Sequence, residues 1–206
     1  MKILPLTYLG NTEWFAQLLG GDCVIDLGEN YVKQSCRNRC EIYSANGVMP
    51  LTVNVVKGGS YKKKPMRDMR IDYSKRWQHQ HWVSICSAYK KSPYFDHYAE
   101  RFAPFYEKQY EFLADYNLEL TSLMLSLLGV NGELPVSEKY MHPSESDIDL
   151  RGRLFLASES APLTPSPEYF QVFAERQPFV GGLSMLDLFF CEGREATNLL
   201  KNSLPR

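Results

Sequence analysis

Ile3-Leu4-Pro5-Leu6-Thr7-Tyr8-Leu9-Gly10-Asn11-Thr12-Glu13-Trp14-Phe15-Ala16-Gln17-Leu18-Leu19-Gly20-Gly21-Asp22-Cys23-Val24-Ile25-Asp26-Leu27 decides the fold class. The run from Ile3 to Leu9 is short and apolar, with Pro5 near its start, and reads as a strand. Asn11 or Thr12 can cap a helix through residues 13–19, because a short polar side chain there accepts an otherwise orphaned backbone N–H. Gly20-Gly21 ends that helix, since glycine takes the left-handed conformation at no steric cost. Cys23 to Leu27 is then a second buried strand. A strand, a short helix and a strand in this order predict a parallel pair joined by a crossover.

Outward from that opening, residues 39–44 and 49–56 predict a hairpin around Asn46-Gly47, with Leu51, Val53 and Val55 on one buried face. Gly58-Gly59-Ser60 with Lys62, Lys63 and Lys64 reads as a basic loop, and it lacks the glycine spacing of a phosphate-binding P-loop. Residues 69–73 suggest another short strand. Ser74 can cap a helix through Tyr89, on which Trp77, His81, Ile85 and Tyr89 share a face. Phe95, Tyr98 and Phe102 mark a second helix, and residues 117–128 a third. Residues 131–167 hold five prolines and many serines, and only residues 149–155 look structured. Two short helices, near residues 184–190 and 195–200, close the chain. The expected architecture is mixed α/β: an N-terminal β-α-β plus a hairpin sheet, with a helical C-terminal half packed on it. Residues 1–206 read as one domain in four parts: strand-rich 1–73, helical 74–130, a wrapping loop 131–168 and a helical segment 169–206.

Composition narrows the function classes. Of 206 residues, 44% are apolar and 23% charged, and the net charge is −1. That balance offers no broad nucleic-acid surface, which needs a basic excess. The first apolar run stops at Thr7, too soon for a signal peptide, and no apolar stretch approaches the roughly 20 residues of a spanning helix. The expected location is the cytoplasm. Cys23, Cys36, Cys40, Cys86 and Cys191 are odd in number and irregular in spacing, as expected of reduced thiols rather than a zinc site. The four histidines form no metal-spacing cluster, and no cofactor is expected.

Several motifs fall in the order of a known family. Tyr8-Leu9 with Trp14-Phe15, the block Lys33-Gln34-Ser35-Cys36-Arg37-Asn38-Arg39, Trp77 with His81-Trp82, Ala88-Tyr89 with Ser92-Pro93-Tyr94-Phe95, Asp149-Leu150-Arg151, Tyr169-x-Gln171, and residues 183–190 with Gly193 together resemble the WbqC-like family of bacterial surface-polysaccharide gene clusters. The chain departs at Gly10, where the family often has proline, and at Cys191, where it commonly has asparagine. The resemblance implies transfer of an aminoacyl or acyl unit to an amino-sugar precursor in O-antigen-like biosynthesis. The alternative is a non-catalytic accessory that holds a nucleotide sugar or a partner enzyme.

The candidate site residues follow from chemistry. Lys33, Arg37, Asn38 and Arg39 place two guanidinium groups and an ammonium within seven residues, suited to a carboxylate or phosphate. The other reading is a solvated loop paired with Glu29 and Glu41. His81, amid aromatics, can move a proton near neutral pH or be a hydrogen-bonded core residue. Asp26 interrupts an apolar strand; it can face a cleft, where it would orient a histidine or accept a substrate amine's proton, or it can cap a turn before Gly28. Trp77, Tyr89 and Tyr94 would shape the pocket. Ser184 and Asp187 can form a capping box. The expected partner is an anionic or sugar-linked small molecule, with a possible acyl or aminoacyl donor.

Overall fold

The computed structural model describes residues 1–56, 64–153, 155–158, 162 and 165–204. The basic-loop residues Gly58, Gly59, Ser60, Lys62 and Lys63 lie outside that set. β1 (Lys2–Pro5), α1 (Thr12–Leu19) and β2 (Cys23–Asp26) form the expected parallel unit, in register from Lys2↔Cys23 to Pro5↔Asp26. β1 stops at Pro5 rather than at Leu9. Beyond it the backbone leaves the ladder: Tyr8 N–H donates to the Cys36 carbonyl, and Leu9 takes φ +45°. Asn11 caps α1, its Oδ1 accepting from Trp14 N–H at 2.8 Å. The whole of Thr12–Leu18 is buried, so this helix is walled in on every side.

β3 (Arg39–Ser44) and β4 (Gly47–Thr52) form the hairpin as a separate two-stranded sheet. Its two-residue turn is Ala45-Asn46, one position earlier than the sequence suggests, and Gly47 supplies the positive φ of +99°. Residues 69–73 make only isolated bridges, Val55↔Ile71 and Arg70↔Phe112. α2 (Trp77–Tyr89) starts three residues after Ser74, because the Asp72 carboxylate captures Ser74 N–H and turns the chain before the helix. α3 (Phe95–Phe102) and α4 (Leu113–Leu127) follow, the latter beginning four residues before Asn117.

The proline- and serine-rich stretch holds β5 (Val136–Ser137) and β6 (Ile148–Asp149). Each is two residues long and largely exposed, so neither shows the apolar alternation that marks a strand. Both pair parallel to buried strands and complete a sheet of order β5-β2-β1-β6. α5 (Met185–Glu192) and α6 (Ala196–Ser203) close the chain. One buried apolar cluster runs from Leu4 and Trp14 through Trp77 and Tyr116 to Phe189 and Phe190.

The strand order sets where a crevice opens. From β1 the chain crosses to β2 on one side, while β6 lies on the other. The carboxyl ends of β1 and β6 therefore flank the place where the crossover leaves to the other side, a position at which ligands of open α/β sheets bind.

Candidate functional site

Charged side chains gather at the carboxyl ends of the parallel strands. Asp26 ends β2 fully buried. It accepts from Gly28 N–H at 2.9 Å and Met141 N–H at 3.1 Å, and from Arg151 Nη1 at 2.5 Å. Arg151 also reaches Asp149, at 2.9 Å through Nε and 2.6 Å through Nη2. Next to it, Arg37 is 2% exposed and grips both oxygens of Glu29, the Ser35 hydroxyl and the Arg151 carbonyl. Two buried carboxylates, Asp26 and Glu29, and the exposed Asp149 thus face two buried guanidiniums. Burial, with Asp26 nearby, raises Glu29 to about 7 against the pull of Arg37. Every guanidinium nitrogen of Arg37 and Arg151 is engaged, so neither fork is open to a ligand.

A second buried cluster is neutral. Tyr8 Oη lies 2.9 Å from His81 Nδ1 and 3.3 Å from Tyr106 Oη. The His81 ring also hydrogen-bonds the Thr52 backbone, and Trp77 packs edge-on against it at 5.1 Å. A backbone carbonyl only accepts, so the ring N–H is assigned to Thr52 and Nδ1 accepts from Tyr8. Burial lowers His81 to about 4, leaving it uncharged at neutral pH with both nitrogens in use.

The crevice of the switch point lies between the segment after β1 and the segment after β6. Its outer part, ≈ 280 Å³, is lined by Asn11 and Glu13 on one side and by Arg153, Leu156 and Gly182 on the other. Glu13 is buried, and its Oε1 lies 3.2 Å from Arg153 Nη2. Adjoining it at Asn11, Leu156 and Gly182 is a tight inner recess, too small in this structure to hold a water molecule, lined by Tyr8, Leu9, Arg39, Glu41, Phe155 and Ser184. Leu9 and Phe155 both hold positive φ, +45° and +49°, so two strained non-glycine residues sit on one recess. Arg39 is 30% exposed and lies 3.6 Å from Glu41, and its buried Nε has no hydrogen-bond partner among the described residues. Glu41 meanwhile accepts from Ser158 N–H at 2.9 Å and from its hydroxyl at 2.8 Å. Gly10 permits this turn, since a Cβ there would stand 2.8 Å from the Trp14 ring.

The sequence block is divided by the fold. Arg39 reaches the crevice, Arg37 the buried network, and Lys33 and Asn38 a different cleft, with Thr52 and Lys75. His81 lines neither opening. Trp77 and Tyr89 are buried, Tyr89 Oη accepting from Tyr43 N–H at 3.2 Å. Tyr94, the residue just before α3, is exposed, its ring against Gly193. Ser184 caps α5, accepting from Leu186 N–H, but Asp187 does not close a capping box, because Ser184 N–H donates to the Glu41 carbonyl. The Asp187 carboxylate instead anchors Tyr169 at 2.7 Å and Gln171 at 2.9 Å, and burial raises its pKa. No helix of the described residues is long and apolar enough to cross a membrane. Among them, no group of three His, Cys, Asp or Glu side chains is placed to hold a metal.

A sequence model of the WbqC-like protein family matches residues 8–159, about three quarters of the chain. The chain belongs to the WbqC-like protein family. An uncharacterised protein of Mycobacterium tuberculosis, Rv1507c, is 32% identical over 111 residues, covering 53% of this chain. The aligned part is 47% of that protein, so the chain spans about half the length of the relative it matches. No solved structure matches. The WbqC-like match covers both the Lys33–Arg39 block and Asp149-Leu150-Arg151, which meet where Arg37 donates to the Arg151 carbonyl.

Sequence reading missed Glu13, Glu41, Arg153 and Asn11 as crevice residues. Glu13 looks like an ordinary acidic residue in a first helical turn, and Glu41 like a partner for Arg39. Their shared environment depends on β6 pairing with β1, which no local pattern announces. One signal was available: Asn11 and Glu13 directly follow a buried parallel strand, where α/β sheets hold ligands.

Proposed function

We propose that this chain transfers an aminoacyl or acyl unit to an amino-sugar precursor of bacterial surface polysaccharide, and that the crevice between β1 and β6 holds the reactants. The observation that carries the reading is Arg39: a part-exposed guanidinium with an unpartnered buried Nε, beside Glu41 in the recess that adjoins the Glu13-lined crevice. A guanidinium receives a carboxylate or phosphate, and a carboxylate receives an ammonium. An anionic donor and an amino sugar need that pairing. The amine nitrogen attacks the donor carbonyl, its proton passes to a crevice carboxylate, and the donor's leaving group departs with the bonding electrons. Asp26 and His81 are positioning residues in this reading. Asp26 holds Arg151 at the strand ends, and His81 holds Tyr8, which lines the recess.

The test pairs a nucleoside-diphosphate amino sugar with aminoacyl and acyl donors and looks for the added mass on the sugar amine. Arg39→Ala and Glu13→Gln should remove product while the variants stay folded. Product formation unchanged in both variants would remove the crevice from the reaction.

A second reading, a non-catalytic holder of a nucleotide sugar, is favoured by the complete engagement of His81 and Arg37, which leaves no imidazole at the crevice. Under it, the same nucleotide sugar binds, Arg39→Ala weakens binding, and no donor yields product.

A further inference from the structure

A second cleft, sharing no lining residue with the crevice, lies on the other side of the Lys33–Arg39 block. It measures ≈ 340 Å³ and is lined by Tyr31, Lys33, Asn38, residues 52–56, Asp72 and Lys75. We infer that this cleft binds a phosphorylated, hydroxyl-bearing small molecule of the sugar-phosphate class, with Lys33 and Lys75 on the phosphate and Asn38 and Asp72 on hydroxyls.

Charge supplies the first half of the argument. Lys33 and Lys75 are exposed, and neither has a carboxylate within 4 Å among the described residues. Two ammonium groups at one cleft create a positive field in a chain whose net charge is −1. An ammonium is a compact point charge with three donors, suited to a phosphate from any side. One carboxylate, Asp72, shares the cleft, so the lining carries a single positive excess.

The second half is an acceptor without a donor. Asn38 is 5% exposed, and its Nδ2 donates to the Val53 carbonyl at 2.9 Å. That bond fixes the amide orientation and leaves Oδ1 buried with no hydrogen-bond partner. A buried acceptor in that state carries its desolvation cost uncompensated. The phosphoryl group of an ionised phosphate ester has no hydrogen to give, and inorganic phosphate has only the P–OH of the anion that the lysines hold, whereas the ring hydroxyls of a sugar can donate to the wall while the phosphate stays at the rim. Asp72, whose Oδ1 already accepts from Ser74 N–H, adds an acceptor-only carboxylate to the lining. The lining is also held in place. Asn38 accepts Val53 N–H at its carbonyl, at 2.8 Å, His81 holds the Thr52 backbone from the core side, and Gln34 on the rim takes φ +55°. Cations at the rim and acceptors in the wall fit a phosphate ester of a polyol better than either a bare anion or a neutral sugar.

This inference is independent of the transfer reading, because the two openings share no residue. The experiment is isothermal titration calorimetry of the full chain with glucose 1-phosphate, glucose and inorganic phosphate. Glucose 1-phosphate should bind at least tenfold more tightly than inorganic phosphate, and glucose should show no heat. The Lys33→Ala/Lys75→Ala double variant should lose tenfold or more in affinity and flatten the salt dependence. Both substitutions are at exposed positions, and an unchanged melting temperature confirms the fold. Asn38→Ala, checked in the same way, should narrow the margin between glucose 1-phosphate and inorganic phosphate. Equal binding of the two phosphates by the wild type would overturn the hydroxyl half of the assignment. Wild-type affinity in the double variant, or no binding by the wild type, would overturn the site.

Discussion

Two of the polar clusters buried in this fold solve the same problem in opposite ways. Under the strand ends, Arg37 and Arg151 enter the core charged and bring Asp26 and Glu29 with them, while Asp149 holds Arg151 from the surface. Under α2, His81 enters uncharged and needs only the Tyr8 hydroxyl and the Thr52 backbone. A guanidinium does not lose its proton in a protein, so burial obliges it to carry counterions. An imidazole loses its proton within a few pH units, so burial strips the charge instead. The ionic cluster should therefore fail on loss of a partner, and the neutral one on a fall in pH.

The largest break should come from Arg37→Ala. It strands Glu29 in the core, and removing one member of a buried ion pair costs about 3–5 kcal/mol. Urea denaturation measures it, and a loss under about 1 kcal/mol would show that the network does not hold the strand ends. Arg37→Lys should recover little, because one ammonium cannot reproduce the bidentate grip on Glu29 together with the bonds to Ser35 and Arg151.

Next is the pH response of His81. Its folded pKa is lowered to about 4 from an unfolded value near 6.5, so the unfolded chain binds the extra proton between those values. The stabilisation is complete above pH 6.5 and is lost as pH falls through 4. Integrated over that window it is about 3 kcal/mol. Urea midpoints taken between pH 7.5 and 4 should fall less steeply in His81→Leu than in the wild type. Equal slopes would mean that His81 does not titrate in this way.

Tyr8→Phe should cost about 1–2 kcal/mol, since it leaves His81 Nδ1 without its donor while keeping the ring. The smallest effect should be that of Arg39→Ala, under about 1 kcal/mol, because this guanidinium is part-exposed and 3.6 Å from Glu41. Thermal melts compare the last two. A small cost at Arg39 beside a large one at Arg37 would separate, within three residues, a side chain that holds the fold from one open to a ligand.

Much of this contrast was half-legible in the sequence. The partners Glu29 and Glu41 were visible as alternatives to a binding role for the arginines, but not that Arg37–Glu29 is buried and Arg39–Glu41 only partly so. Burial depends on Asp149-Leu150-Arg151 arriving over the strand ends from more than a hundred residues away. The aromatic face of α2 was readable from i, i+4 spacing, and Trp77, His81, Ile85 and Tyr89 are all buried. That His81 meets Tyr8 was not readable, because that contact spans 73 residues.

By itself the sequence determined the β-α-β opening, the hairpin, the helical second half and the family, since periodicity, caps and motifs are local properties of the chain. Only the tertiary structure decided that the proline-rich stretch supplies two strands, that a crevice opens between β1 and β6, and that one basic block serves three environments. Each of those outcomes is a pairing between distant segments. A two-residue strand has no pattern of its own and exists because a buried neighbour offers it a hydrogen-bonding edge.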